Sequence, residues 1–388
     1  MKTEFIDCKS IAFYLPQYHA IPENDKAWGK GFTEWTNVKK AVPLVKQQYQ
    51  PQEPLNDDYY SLLDVDTIRK QISLAKEYGI YGFCFYHYYF KNGKKLLEKP
   101  IELFLENVDL DIPFCLSWAN EPWTKRWDGS ENEVIVEQDY GNEDEWREHF
   151  EYLLHFFLDE RYIRNPKTQK PLFLIYRPSL IPNVERMLKE WDEMAKKSGL
   201  PGIEFIIQYP EEDVLAGKIR EGFDGIVEFE PLYTTSLWMN SYRNKAKFAL
   251  TNLFFNFSFW KQRIAGMIKG GKFSLYSYDL TVKDSCNVRS NKKCYPGVFP
   301  GWDNTARKNI NASCYWGNTP DKFYEYLRKK LDINDEVYHM PFIFINAWNE
   351  WGEGAHMEPD KKYKYGFLEA HKRALEEHTK SGNTNYME

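Results

Sequence analysis

The chain has 388 residues, 43% of them hydrophobic and 28% charged, which is enough apolar surface for a sizeable core. Its 57 acidic residues outnumber 51 basic ones, for a net charge of −6, which argues against a nucleic-acid partner, since that calls for a basic excess or stripe. No apolar run reaches the ~20 residues that cross a bilayer. The nearest, FALTNLFFNFSFW at 248–260, is expected to be a lid or packing helix, with peripheral membrane contact as the alternative.

The chain begins MKTEFIDCKS, without an apolar signal segment, so a cytoplasmic location is expected and the six cysteines are read as reduced. No CxxC pair, H-E-x-x-H or acidic calcium loop occurs, so neither a metal nor another cofactor is predicted.

Short apolar runs recur along the chain. In order they are IAFYL (11–15), GFCFY (82–86), PFCLSW (113–118), LFLIY (172–176), FIIQ (205–208), GIVEF (225–229), GVFP (297–300) and FIFINA (342–347). Helical spacing marks 65–78, 144–158, 182–197, 321–331 and 365–378 between them. Continuously apolar strands are buried on both faces, as a parallel sheet wrapped by helices demands. Eight such units predict an α/β fold, a (β/α)₈ TIM barrel with extended loops. An open doubly wound sheet is the alternative. The expected catalytic domain spans 1–380 as one unit, with an insertion at about 232–295 between the sixth and seventh strands. A frayed tail is expected at 381–388.

In such a barrel the reacting groups gather where strands end. Polar and aromatic residues do recur there. Tyr14, Gln17 and His19 follow or close the first run; Tyr86 and His87 close the second. Trp118, Asn120, Glu121 and Trp123 follow the third, and Trp302 and Asp303 follow the seventh. The eighth is followed by Trp348, Asn349, Glu350, Trp351, Gly352, Glu353 and Gly354. Glu350 and Glu353 lie three residues apart in an expected tight turn, which Gly352 and Gly354 allow to bend. Paired carboxylates suit glycoside cleavage, one protonating the leaving oxygen while the other serves as base or nucleophile. The remaining residues are the candidate substrate contacts, since Trp stacks on sugar rings while Asn, Gln and Glu bond hydroxyls. Each also has a plain packing or hydrogen-bonding alternative.

Longer blocks carry a resemblance. AFYLPQYH (12–19), GFTEWTNV (31–38), YGFCFYHYYF (81–90), LSWANEPWTKRWDG (116–129), PGVFPGWDNTAR (296–307) and NAWNEWGEGAHMEPD (346–360) resemble the WbsX-like proteins of bacterial polysaccharide gene clusters. These are often labelled glycosyltransferases, yet they are similar to glycoside hydrolase family 99, retaining endo-acting α-mannosidases and α-mannanases. By that resemblance Glu353 is the general acid/base. Glu350 is the base that helps the substrate's 2-hydroxyl attack the anomeric carbon through an anhydro-sugar. Gly352 departs from the mannosidase pattern, where a larger residue is expected, so a different sugar is expected in the cleft. Three functions stay open. The first is a glycoside hydrolase acting on a surface polysaccharide. The second is a glycosyltransferase of O-antigen or capsule assembly. The third is a non-catalytic glycan-binding protein.

Overall fold

The computed structural model describes residues 7–125, 133–239, 273–287 and 293–385. The stretch 248–260, expected as a lid or packing helix with peripheral membrane contact as the alternative, lies outside these residues. Nine short parallel strands form the central ring: β1 (Lys9–Tyr14), β2 (Gly82–Tyr89), β3 (Phe114–Trp118), β4 (Leu172–Ile175), β5 (Glu204–Ile207), β6 (Gly225–Val227), β7 (Cys294–Tyr295), β8 (Gly297–Val298) and β9 (Phe342–Ile345). Each pairs with its neighbour except that β7 and β8 do not pair with each other, and β9 returns to β1 with Ile11 opposite Phe344.

β7 and β8 occupy one position in the ring. β7 pairs with β6, Cys294 opposite Ile226; β8 pairs with β9, Gly297 opposite Phe344. Pro296 separates them and has no N–H to give to a ladder, which is why the seventh strand is split and begins earlier than the apolar run at 297–300 implies. Gly297 is required by close approach, since a Cβ there would lie 1.8 Å from the Glu228 carbonyl. The result is an eight-position (β/α)₈ barrel.

The strand interiors are buried throughout, for the reason their composition gave: Ile11, Phe83, Cys84, Phe114, Leu174, Ile206 and Ile343 are completely enclosed. Helices surround the ring at Val65–Glu77, Glu143–Phe157, Val184–Lys197 and Pro320–Ile333. Asp64 caps the first of these by accepting from Asp66 N–H. The last helix, Gly366–Asn385, continues past residue 380, where fraying was expected to begin.

Two short helices lie in the long segment after β1, Pro22–Trp28 and Glu34–Lys40. The Pro- and Gln-rich surroundings hide both in the sequence, yet the second delivers a carboxylate to the site. The sixth-to-seventh connection contains the helix Leu232–Met239, the segment Ser274–Ser277 and the helix Tyr278–Ser285. Ser274–Ser277 pairs in parallel with Ser313–Trp316, outside the ring. All six cysteines are buried, and among the described residues none forms a disulfide. Among the described residues no helix is long and apolar enough to cross a membrane.

Candidate active site

Residues Asn346–Asp360 leave β9 and build the floor of a cavity at the carboxyl ends of the strands. Asn349 fixes the first turn. Its Oδ1 accepts from Leu15 N–H at 2.7 Å, and its Nδ2 donates to the Leu15 carbonyl at 3.0 Å. Tyr18 donates its hydroxyl to the Asn349 carbonyl and accepts from Trp351 N–H. Trp351, Gly352 and Glu353 then form one tight helical turn, closed by Gly354 at φ +61°. A Cβ on Gly354 would also meet Gln52 at 2.5 Å, so both backbone and space call for glycine.

This turn places Glu350 and Glu353 on one guanidinium. Arg307 reaches Glu350 with Nη2 at 2.7 Å and Glu353 with Nη1 at 2.7 Å. Its Nε donates to Glu34 at 2.8 Å. Arg307 sits on the short helix Thr305–Lys308. Asp303 starts that helix by accepting from both the N–H and the hydroxyl of Thr305. Asp303 N–H also donates to the Glu353 carbonyl at 2.6 Å, so one residue anchors both the cation and the acidic turn.

Three carboxylates around one cation leave an excess of negative charge in a poorly hydrated place. Burial is the largest effect on Glu350 and pushes its carboxyl up to about 8; Arg307 opposes this, while Glu353 and Glu34 add to it. Glu353 is raised as well, again by burial first and against Arg307. The pair as a unit therefore retains a proton near neutrality, and the proton belongs to both.

The cavity above these carboxylates is about 540 Å³ and is walled largely by aromatic rings. Tyr86, Tyr88, Trp123, Tyr176, Tyr209, Phe229, Tyr276, Trp302 and Tyr315 line it, with Gln17, Glu121, Arg177 and Arg307 as polar lining. Glu121 and Arg177 form an ion pair at 2.8 Å, and Arg177 lies over the Tyr209 ring. The amide Oε1 of Gln17 is buried without a hydrogen-bond partner. Among the described residues no group of His, Cys, Asp or Glu is arranged to hold a metal.

Of the residues singled out in the sequence, seven meet in this cavity: Glu350, Glu353, Gln17, Tyr86, Glu121, Trp123 and Trp302. The others do not line it. Tyr14 points outward from β1 and donates to Gln71 at 2.6 Å. His87 turns to His149, nitrogen to nitrogen at 2.8 Å, and burial lowers its pKa to about 3. Trp118 donates to the Tyr89 carbonyl and packs edge-on against His149. His19 is buried and pushed down to about 4 by burial. Asn120 clamps the Arg177 backbone with both ends of its amide. Trp348 is enclosed against Phe83, and Trp351 stacks on His356. Asn349 is spent on Leu15. Asp303 supports Arg307 from the wall of a neighbouring cavity of about 300 Å³.

For the three on ring strands, Tyr14, His87 and Trp118, the reason is geometric. Successive side chains on a strand point to opposite faces. Tyr86 and Tyr88 face the cavity, so His87 between them faces the helices, and Trp118 lies level with His87 in the ladder. Residues the sequence reading passed over are Glu34, Arg307, Glu358 and the tyrosines at 88, 176, 276 and 315. Glu34, Tyr88, Arg307 and Glu358 sit inside the GFTEWTNV, YGFCFYHYYF, PGWDNTAR and GAHMEPD blocks, which was the available signal.

With that geometry in hand, comparison with known proteins places the chain. Residues 10–371 match the family model described as Glycosyltransferase WbsX. The chain belongs to the WbsX family. It is 35% identical over 379 residues to the uncharacterized protein WxcX of Xanthomonas campestris pv. campestris (strain B100), which covers 96% of this chain and 50% of that protein. WxcX from another strain is 36% identical over 381 residues, with the same coverage. The chain thus spans about half the length of the curated relatives it matches. Among solved structures, this WbsX-family barrel is similar to the GH99 endo-alpha-mannosidase from Bacteroides thetaiotaomicron, with a TM-score of 0.55 and 16% identity over 98% of this chain and 99% of that one. A glycoside hydrolase-like protein matches with a TM-score of 0.55 and 12% identity, over 97% and 95% of the two chains. At these identities the likeness is one of fold. The WbsX-family chain shares their barrel fold.

Proposed function

We propose that this chain is a glycoside hydrolase that cleaves a linkage within a bacterial surface polysaccharide, with Glu350 and Glu353 as the acid/base pair. One observation carries the reading: both carboxylates are held by Arg307 at the floor of an aromatic-walled cavity at the strand ends. Glu353 has the more open carboxylate, its side chain 22% exposed against 6% for Glu350. It is assigned the proton delivery to the leaving oxygen, and Glu350 the base. The proton held by the buried pair supplies the acid that neutral pH otherwise denies a carboxyl group. Aromatic faces suit the C–H faces of sugar rings, and Glu121, Gln17 and Arg177 suit their hydroxyls. The endo-mannosidase neighbour names one substrate class, an α-mannoside. Gly352 faces Glu34 and Arg307 and does not line the cavity, so its departure from the mannosidase pattern does not bear on the sugar.

The second reading is glycosyl transfer, favoured by the description that the WbsX family carries. One experiment separates the two. Purified protein is incubated with the polysaccharide of its source organism, with and without nucleotide sugars, and products are identified by mass. Shortened glycan without a donor supports hydrolysis. Extension that requires a donor overturns it in favour of transfer, and binding without any product supports a non-catalytic glycan receptor.

A further inference from the structure

We infer that Glu34 is a positioning residue for the Glu350–Glu353 pair, seated in the space that Gly352 leaves empty and acting on the pair through Arg307. The inference rests on the reading of that pair as the acid/base machinery.

The seat is steric. A Cβ built on Gly352 would lie 1.6 Å from Glu34 Oε1, 2.8 Å from its carboxyl carbon and 2.9 Å from Arg307 Nε. Any side chain at 352 therefore displaces the carboxylate. Glu34 arrives from the first turn of the helix Glu34–Lys40, whose entry is fixed by its own N–H donating to the Gln17 carbonyl at 3.2 Å. Its side chain is fully buried, with Oε2 lacking any hydrogen-bond partner. A carboxylate is costly to bury even when paired. Here half of it is left unsatisfied, so a purely structural explanation is poor.

The electrical consequence follows from the count. Arg307 spends its Nε on Glu34 and one Nη on each of the other two carboxylates. Other groups that bear on the pair do not rebalance it. Tyr18, Tyr86, Tyr88 and Tyr176 are held neutral, their phenols raised by burial. Glu121 is closed on Arg177, and Lys308 is a minor influence on Glu353. Glu34 is thus the third negative charge, and it adds to burial in favouring a shared proton on Glu350 and Glu353. With a neutral residue at 34 the guanidinium faces only two carboxylates, and both ionise more readily.

The test replaces charge while keeping shape. In Glu34→Gln the carboxyl titrations of Glu350 and Glu353, followed by carbon-13 NMR of glutamate-labelled protein, move to lower pH by about one unit or more, as a unit charge a few ångströms away requires. Both limbs of the kcat/KM pH profile move the same way. Glu34→Asp, which keeps the charge, returns the titrations toward the wild type. Gly352→Ala expels Glu34 and reproduces the shift, while Gly352→Ala added to Glu34→Ala produces no further shift. Unmoved carboxyl titrations in a folded Glu34→Gln or Gly352→Ala protein overturn the inference. Because the NMR titration needs no substrate, shifted titrations in a protein that turns over no glycan leave this inference standing and count against the hydrolase reading instead.

Discussion

Trp351 donates its indole N–H to Glu358 at 2.6 Å, and this bond ties the acidic turn to the segment that follows it. Glu358 also accepts from Tyr60 at 2.7 Å and from Gln71 at 2.6 Å, and Gln71 in turn accepts from Tyr14. A buried carboxylate with three donors thus holds Trp351, and Trp351 is flanked in sequence by Glu350 and, two residues on, Glu353. Replacing Glu358 with Ala leaves three buried donors unpaired. The expected cost is about 3 kcal/mol or more in urea unfolding. Turnover is expected to fall about tenfold or more through misplacement of the turn, with a smaller change in KM. Normal turnover in a destabilised protein would confine Glu358 to folding.

Asn349 supports the same turn from the other side. Its amide satisfies both backbone groups of Leu15, and the side chain is fully buried. Asn349→Ala is therefore expected to lower stability by about 2–3 kcal/mol, the price of two buried backbone groups left without partners. Glycan affinity per folded molecule should stay within about twofold of the wild type. A large loss of affinity at unchanged stability would return Asn349 to direct substrate contact.

The buried acids set a pH dependence of stability. Burial pushes Glu358 up to about 7, against the hydrogen bonds from Trp351, Tyr60 and Gln71, and Glu350 up to about 8. Both start from 4.5 in the unfolded chain. Between the unfolded and folded values the folded protein keeps a proton that the unfolded chain has released, so stability falls as pH rises. Buried His87, pushed down to about 3, and His19 and His371, each to about 4, act oppositely below 6.5. His149 and His356 are lowered by burial as well, and all five histidines still offset part of the acids' decline up to about pH 7.5, so the acids' share is read from the difference between wild type and variants. From pH 6.5 to 8 these acids by themselves lower stability by about 1 kcal/mol through Glu358 and about 2 kcal/mol through the Glu350–Glu353 pair. Thermal unfolding across that range checks it, and Glu358→Gln and Glu350→Gln should each flatten the decline. Variants whose stability changes with pH over this interval as the wild type's does contradict the assignment.

The ring of strands was legible because a strand buried on both faces has no polar alternation to confuse it, as in PFCLSW and LFLIY. That Glu350 and Glu353 converge was legible because the glycines beside them permit a tight turn. What the sequence did not reveal was direction. Nothing in YGFCFYHYYF says that Tyr86 and Tyr88 point into the cavity while His87 points at a helix. Partners that meet across long stretches of chain, such as Glu34 with Arg307 or Tyr60 with Glu358, leave no local pattern at all. Tryptophan was over-read for the same reason: a ring large enough to stack on a sugar is equally suited to fill a core.

That ambiguity separates two tryptophans by experiment. Trp302 is partly exposed on the cavity wall, its indole N–H held by the Ser313 hydroxyl at 3.2 Å. Trp118 is buried outside the ring between His149 and Trp191. Trp302→Ala is expected to weaken glycan binding by about 1–2 kcal/mol through loss of an aromatic platform, with little change in unfolding. Trp118→Ala is expected to lower stability by about 3–5 kcal/mol through the cavity it leaves, with affinity of the folded fraction retained. Calorimetric titration of polysaccharide fragments into Glu353→Gln protein carrying each change, alongside urea unfolding, reads both quantities. If Trp118→Ala weakens binding and Trp302→Ala does not, the sugar lies on the helix side of β3, and the cavity at the strand ends is not where it binds.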